Sequence, residues 1–245
     1  MVQKHYYYFG EELTEKIIGE SLTKKNWDII RNDVAPGPFS IEPTIEQYEE
    51  NCRNTISYKD SAIKIVKYIN NNWENKRIVS LGVGKGILEW HLKNESDDLT
   101  IECTDFAEEG IEKLRNVFIK ADSIYSFDIK NGNYKSISRD SIILMYRLST
   151  EFDRSEWHDI FKKMYEAEIE RIIFVPTGLD TEESMLEEKK RHERNQFKGR
   201  KDIFCGWLYS RDEFLSMFNG DNNMYLIVDE EEISNTTIFY LERRK

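Results

Sequence analysis

The sequence predicts an α/β protein built on a doubly wound, mostly parallel sheet. Three observations carry this. Apolar, strand-like runs alternate with amphipathic helical stretches from residue 77 onward. The first of those runs leads through Gly82, Gly84 and Gly86 straight into a helical pattern. The 245 residues include 39% hydrophobic and 13% aromatic side chains, enough for one large domain, or one domain with an appendage.

Before residue 77 the chain reads as a helical prelude. Residues 1–35 are aromatic and then helical. His5-Tyr6-Tyr7-Tyr8-Phe9 precede Leu13, Ile17, Ile18 and Leu22, which share one helical face, and Trp27, Ile29 and Ile30 extend the apolar surface. These aromatics either pack on the core or form a lid over a ligand site. Ala35-Pro36-Gly37-Pro38 breaks any helix. A helix over 44–54 opens on Thr44-Ile45-Glu46-Gln47, a capping box with Thr44 as the cap. A second, over 57–72, carries Ile63, Val66 and Ile69 or Tyr68 on one side and ends at Asn70-Asn71-Asn72. Residues 1–76 thus form a helical extension or lid packed on a main domain of residues 77–245.

Residues 77–92 run Arg-Ile-Val-Ser-Leu-Gly-Val-Gly-Lys-Gly-Ile-Leu-Glu-Trp-His-Leu. Ile78, Val79 and Leu81 suit a buried strand, and Ile87, Leu88 and Leu92 fall at helical spacing. The reading is strand, glycine turn, helix. Glycine reaches φ > 0 and lets the backbone approach a ligand, while the helix start offers unpaired N–H groups. A dinucleotide fingerprint, Gly-x-Gly-x-x-Gly, needs a third glycine where Ile87 stands. The spacing here is Gly-x-Gly-x-Gly.

The alternation continues. Strands are expected over 99–104, 123–127, 140–146 and 171–175, and helices over 107–119 and 153–166. Residues 181–202 are highly charged, 210–218 form a short helix, and 224–228 and 237–241 form a terminal hairpin. Ligands in such sheets bind beyond the carboxyl ends of the strands. Asp105 and Asp128 stand at the ends of the second and third strands.

The ordered set Gly82, Gly84, Gly86, Asp105 and Asp128 resembles the class I S-adenosylmethionine-dependent methyltransferases, over residues 77–245. The resemblance implies a Rossmann-like, seven-stranded sheet whose last strand is antiparallel. It also implies S-adenosylmethionine as cofactor and methyl transfer to a small-molecule acceptor. The glycine loop would pass under the methionine and ribose. Asp105 would accept hydrogen bonds from both ribose hydroxyls, which suits a carboxylate because it only accepts. Phe106 would contact adenine, Asp128 would accept from the adenine amino group, and Ile129 and Tyr146 complete the expected cofactor site. The family usually has Asp or Glu where Ser80 stands. Serine accepts a hydrogen bond there but brings no charge. Lys85 meets the methionine carboxylate or is a solvated loop lysine.

On the acceptor side, Arg147 would hold an anionic group or serve as a structural ion-pair partner, and Tyr8 and Trp207 would line the pocket. No Asn-Pro-Pro-Tyr or Asp-Pro-Pro-Tyr motif is present, no catalytic base is assigned, and His5, His91, His158 and His192 read as structural. The basic segment from Lys189 through Lys201 is a solvated helix face or an arm steering an anionic acceptor. Cys52, Cys103 and Cys205 are odd in number and far apart, so neither a disulfide framework nor a metal site is expected, and a reducing, cytoplasmic setting fits. A net charge of -11 disfavours broad nucleic-acid binding. No apolar run is long enough to span a bilayer. Two other readings remain open: a non-catalytic binding or scaffold subunit, and a nucleic-acid methyltransferase.

Overall fold

The computed structural model describes residues 2–32, 39–178, 181–218, 224–233 and 236–245. In chain order the elements are β1 (Val2–Tyr7), α1 (Glu11–Lys16), α2 (Lys24–Asn32), α3 (Ile45–Asn54), α4 (Ile56–Asn72), β2 (Arg77–Leu81), α5 (Ile87–Glu95), β3 (Thr100–Asp105), α6 (Glu108–Val117), β4 (Ser123–Ser126), β5 (Ile142–Tyr146), α7 (Arg154–Glu166), β6 (Arg171–Val175), α8 (Glu182–Phe197), β7 (Ile203–Tyr209), α9 (Arg211–Leu215), β8 (Tyr225–Ile233) and β9 (Thr236–Arg243). The expected helix break at 35–38 lies outside the described residues.

Seven strands form one sheet in the order β4-β3-β2-β5-β6-β9-β8. The strands from β2 to β6 are parallel, and β9 runs antiparallel to both β6 and β8. This is the doubly wound α/β architecture with an antiparallel last strand that the sequence predicts. Strands covered on both faces need near-continuous apolar runs. Ile142, Ile143, Leu144 and Met145 of β5 meet that demand, each fully buried. Chain order reverses at β2, which pairs with β3 on one side and β5 on the other. A crevice opens at that switch point, beyond the strands' carboxyl ends.

Local chemistry explains several boundaries. Thr44 accepts from the Gln47 N–H and caps α3. Asp153 and Glu156 form a reciprocal capping box on α7, each side chain accepting from the other's backbone N–H at 2.9 Å. The buried face of α4 is Ala62, Ile65, Val66 and Ile69, whereas Ile63 points to solvent.

The N-terminal extension departs from an all-helical prelude. Its first residues form β1, which pairs antiparallel with β7 in a second, two-stranded sheet. Aromatic and β-branched residues favour strands, but β1 finds its partner at the far end of the chain, and nothing local in the sequence announces that pairing. The charged stretch after β6 contains α8. Two of its cations are partnered: Lys190 with Glu187, and Arg191 with both Glu188 and the Tyr6 carbonyl.

Candidate functional site

A cavity of about 660 Å³ opens at the switch point. Its floor is the turn between β2 and α5. Gly84 has φ 58°, a left-handed conformation, and a Cβ there would stand 2.7 Å from Arg31 Nη2. The loop is fixed from the neighbouring strand. Asp105 Oδ2 accepts from the Gly84 N–H at 2.9 Å, and Oδ1 accepts from the Ala107 N–H at 3.0 Å. Asp105 is only 7% exposed. The carboxylate therefore ties the glycine loop to the turn that leads into α6, and each oxygen retains a lone pair.

Gly82, Gly84, Lys85, Asp105, Phe106, Asp128, Ile129, Tyr146 and Arg147 all line this cavity. Several are employed differently from the sequence expectation. Lys85 forms a 2.6 Å ion pair with Glu42 and is 11% exposed, so it clasps the N-terminal extension rather than standing in solvent. Asp128 closes its own turn: Oδ1 accepts from the Lys130 and Asn131 N–H groups, and Oδ2 from the Asn131 side chain. Ser80 and Gly86 sit behind the lining, Ser80 being 1% exposed. Arg147 adopts φ 59°, and its guanidinium lies 5.3 Å from the Tyr58 ring centre and 5.4 Å from that of Tyr146.

Two residues expected on the acceptor side, Tyr8 and Trp207, lie outside the lining of this cavity. Tyr8 points to α8, where its hydroxyl meets His192 Nδ1. The neighbouring Tyr7, the last residue of β1, lines the cavity instead. Trp207 packs edge-on against Phe204 at 5.5 Å, outside the cavity lining. Residues 204 and 207 share a side because the strand's alternation is interrupted at Gly206, whose φ is 144°.

Three lining residues were not named as site residues from the sequence, although one of them, Glu151, lies in the loop that carries Arg147 after the fourth expected strand. Arg31 of α2 lies over Trp27 at 4.8 Å and donates to the Phe39 carbonyl at 2.8 Å. Burial lowers its pKa, while Asp105 and Glu151 pull it back up. Glu151 follows β5 and is part of the cavity wall. Desolvation and then the Asp105 charge push its pKa up to about 7, with Arg31 opposing. Glu89 of α5 is 2% exposed and also reaches about 7, desolvation again leading. Among the described residues no three His, Cys, Asp or Glu side chains gather as a metal site, and no helix is long and apolar enough to cross a membrane.

The raised carboxyl groups imply a direction for stability. Between the ordinary carboxyl pKa and about 7, the folded chain keeps a proton on Glu151 that the unfolded chain has released, so this group makes stability fall as pH rises through the window. A Glu151→Gln protein should match wild type at about pH 5 and exceed it at about pH 8, by at most ~3 kcal/mol. Urea midpoints at the two pH values measure this. A difference that does not change with pH contradicts the buried-carboxyl assignment.

No protein-family model matches the sequence, and no curated protein does either. Solved structures do match. Magnesium protoporphyrin IX methyltransferase from Synechocystis, with S-adenosylhomocysteine bound, aligns at a TM-score of 0.54 and 13% identity, covering 89% of this chain and 93% of that one. Human N-acetylserotonin methyltransferase in complex with S-adenosylmethionine aligns at 0.56 and 10%, covering 91% of this chain and 57% of that one. A Rhodobacter sphaeroides protein assigned to the Zn-dependent alcohol dehydrogenases aligns at 0.55 and 12%, covering 77% and 98%. At such identities the likeness is one of fold. The fold is the Rossmann-like one used by the class I S-adenosylmethionine-dependent methyltransferases.

Proposed function

We propose that this chain transfers a methyl group from S-adenosylmethionine to a small-molecule acceptor. The observation that carries the reading is the left-handed glycine loop, tied by Gly84 N–H to Asp105 in the wall of the switch-point cavity. The residues present fit the cofactor. The left-handed glycines bring backbone to the cavity wall, Asp105 has lone pairs left for a ribose diol, and Phe106 and Ile129 offer apolar faces for adenine. The volume suits a ligand of this size, since such pockets run to ~300–1,000 Å³. When bound, the cofactor supplies a methyl group already activated on a sulfonium sulfur.

The chain's own task is then alignment. Tyr7, Tyr58, Tyr146 and Phe152 also line the cavity, with Arg147 and Arg31 as cations. Holding the acceptor in line with the methyl group contributes much of the acceleration in such a transfer. Glu151 is placed to take a proton from an acceptor hydroxyl or amine, and a pKa of about 7 suits a general base near neutral pH. The acidic surface, with net charge -11, favours a small acceptor over a nucleic acid.

Isothermal titration with S-adenosylmethionine and S-adenosylhomocysteine is the test. Binding of both in a one-to-one complex is expected. Failure to bind either at millimolar concentration overturns the proposal.

A further inference from the structure

Position 80 presents a problem of charge. The methionine end of S-adenosylmethionine carries an ammonium group, and an acid at this point of the strand would balance it. Ser80 has none. It is not idle, however: its hydroxyl donates to Glu89 Oε1 at 2.5 Å. Glu89 lies in the first turn of α5, immediately after the glycine loop, and forms part of the cavity wall. Its side chain has come from the helix to the place where the strand lacks a carboxylate.

The surroundings leave this carboxyl short of positive charge. From β3 it faces Asp105 and Cys103, from α3 Tyr48 and Cys52, and from α4 Tyr58. None of these is a cation, and burial raises both thiols and both phenols further above their ordinary values. Among the described residues no Lys or Arg is paired with Glu89. A helix N-terminus favours a carboxylate, but the dipole alone has not kept this one in its ordinary range: desolvation dominates, and the group titrates near 7. A buried acid with one oxygen on a serine, facing a cavity, and lacking a cation is suited to receive one from a ligand.

We propose that Glu89 carries the charge that position 80 lacks, and that its carboxylate accepts a hydrogen bond from the methionine ammonium of the cofactor. This rests on the methyltransferase reading above. Cofactor binding is then linked to a proton. Below about pH 7 Glu89 must lose its proton to receive the ammonium group, and binding releases that proton. Affinity therefore rises with pH until Glu89 is ionised.

The probes are S-adenosylhomocysteine, which has the amino-acid end, and methylthioadenosine, which lacks it. Both are titrated calorimetrically into wild type, Glu89→Gln and Glu151→Gln. Glutamine keeps the shape and resembles the protonated acid, so the fold is retained, which a melting curve checks. Wild-type affinity for S-adenosylhomocysteine should rise about tenfold from about pH 5.5 to about pH 7.5, with methylthioadenosine unaffected. Glu89→Gln should lose roughly tenfold or more at the upper pH, lose the pH slope, and bind methylthioadenosine as wild type does. Glu151→Gln should keep the slope, which assigns it to Glu89, because both acids titrate in that window. The proposal is overturned if Glu89→Gln binds S-adenosylhomocysteine within twofold of wild type, or if it loses both ligands equally, as a merely structural carboxyl would. Wild-type protein that binds S-adenosylhomocysteine with no pH slope also overturns it. Wild-type protein that binds neither ligand overturns the methyltransferase reading itself, and this inference falls with it.

Discussion

Asp105→Ala is expected to weaken S-adenosylhomocysteine binding by roughly thirtyfold or more. Hydrogen bonds to charged groups contribute ~1.5–3 kcal/mol each, and a pair on one carboxylate is not simply additive, so ~2 kcal/mol is a lower estimate. The geometry adds a second expected loss. The carboxylate also accepts from Gly84 and Ala107 at 2.9 and 3.0 Å, so its removal should lower stability by ~1–2 kcal/mol as well. Affinity and melting temperature must therefore fall together, and neither alone tells whether Asp105 touches the ribose. A cycle does. An analogue lacking one ribose hydroxyl should bind wild type more weakly than the parent ligand does, yet bind Asp105→Ala about as well as the parent. If the missing hydroxyl weakens binding to both proteins equally, the carboxylate only braces the loop. Unchanged parent affinity with a lowered melting temperature would reject the proposed ribose contact outright.

The sequence announced the parts of this molecule whose cause is local. Strand, glycine turn and helix over 77–92 rest on apolar spacing and on glycine's access to φ > 0, and the structure places β2, the left-handed loop and α5 there. Asp105 and Asp128 were legible because they follow apolar strands directly. Their employment was not. Whether an aspartate's oxygens face a ligand or its own turn depends on N–H groups nearby in space, and Asp128 turned to Lys130 and Asn131. Lys85 could not be read because its partner, Glu42, is 43 residues away. Glu89 was passed over as a helical residue, since helical periodicity does not say that a first-turn glutamate will reach back to Ser80. Arg31 and Tyr7 enter the cavity only because α2 and β1 fold over the glycine loop and β7, contacts that no short window contains. Tyr8 was named and Tyr7 was not because no strand was expected at residues 2–7.

The placement of Trp207 turns on Gly206, and this glycine leads to the largest expected effect on stability. Gly206 holds φ 144°, and an added Cβ would stand 1.7 Å from the Thr150 carbonyl oxygen. The obstacle is backbone, so no side-chain rotation can clear it. The same contact is useful: Trp207 N–H donates to that carbonyl at 2.7 Å, joining β7 to the loop that carries Arg147 and Glu151. Gly206→Ala must therefore break the bond, bend β7 away from the loop, or both, on top of the strain of the backbone conformation. Backbone strain alone costs ~1–3 kcal/mol. With the lost hydrogen bond and the displaced strand, a total of ~4 kcal/mol or more is expected, which is exceptional for one methyl group. In a chain of this size that is roughly 8–16 °C in melting temperature. Because the disturbance enters through 150–151, the cofactor side should suffer less than the acceptor side. At a temperature where the variant is still folded, S-adenosylhomocysteine affinity should stay within about threefold of wild type. A Gly206→Ala protein that melts within 2 °C of wild type would show that β7 does not press against this loop, and the acceptor side of the cavity would have to be redrawn.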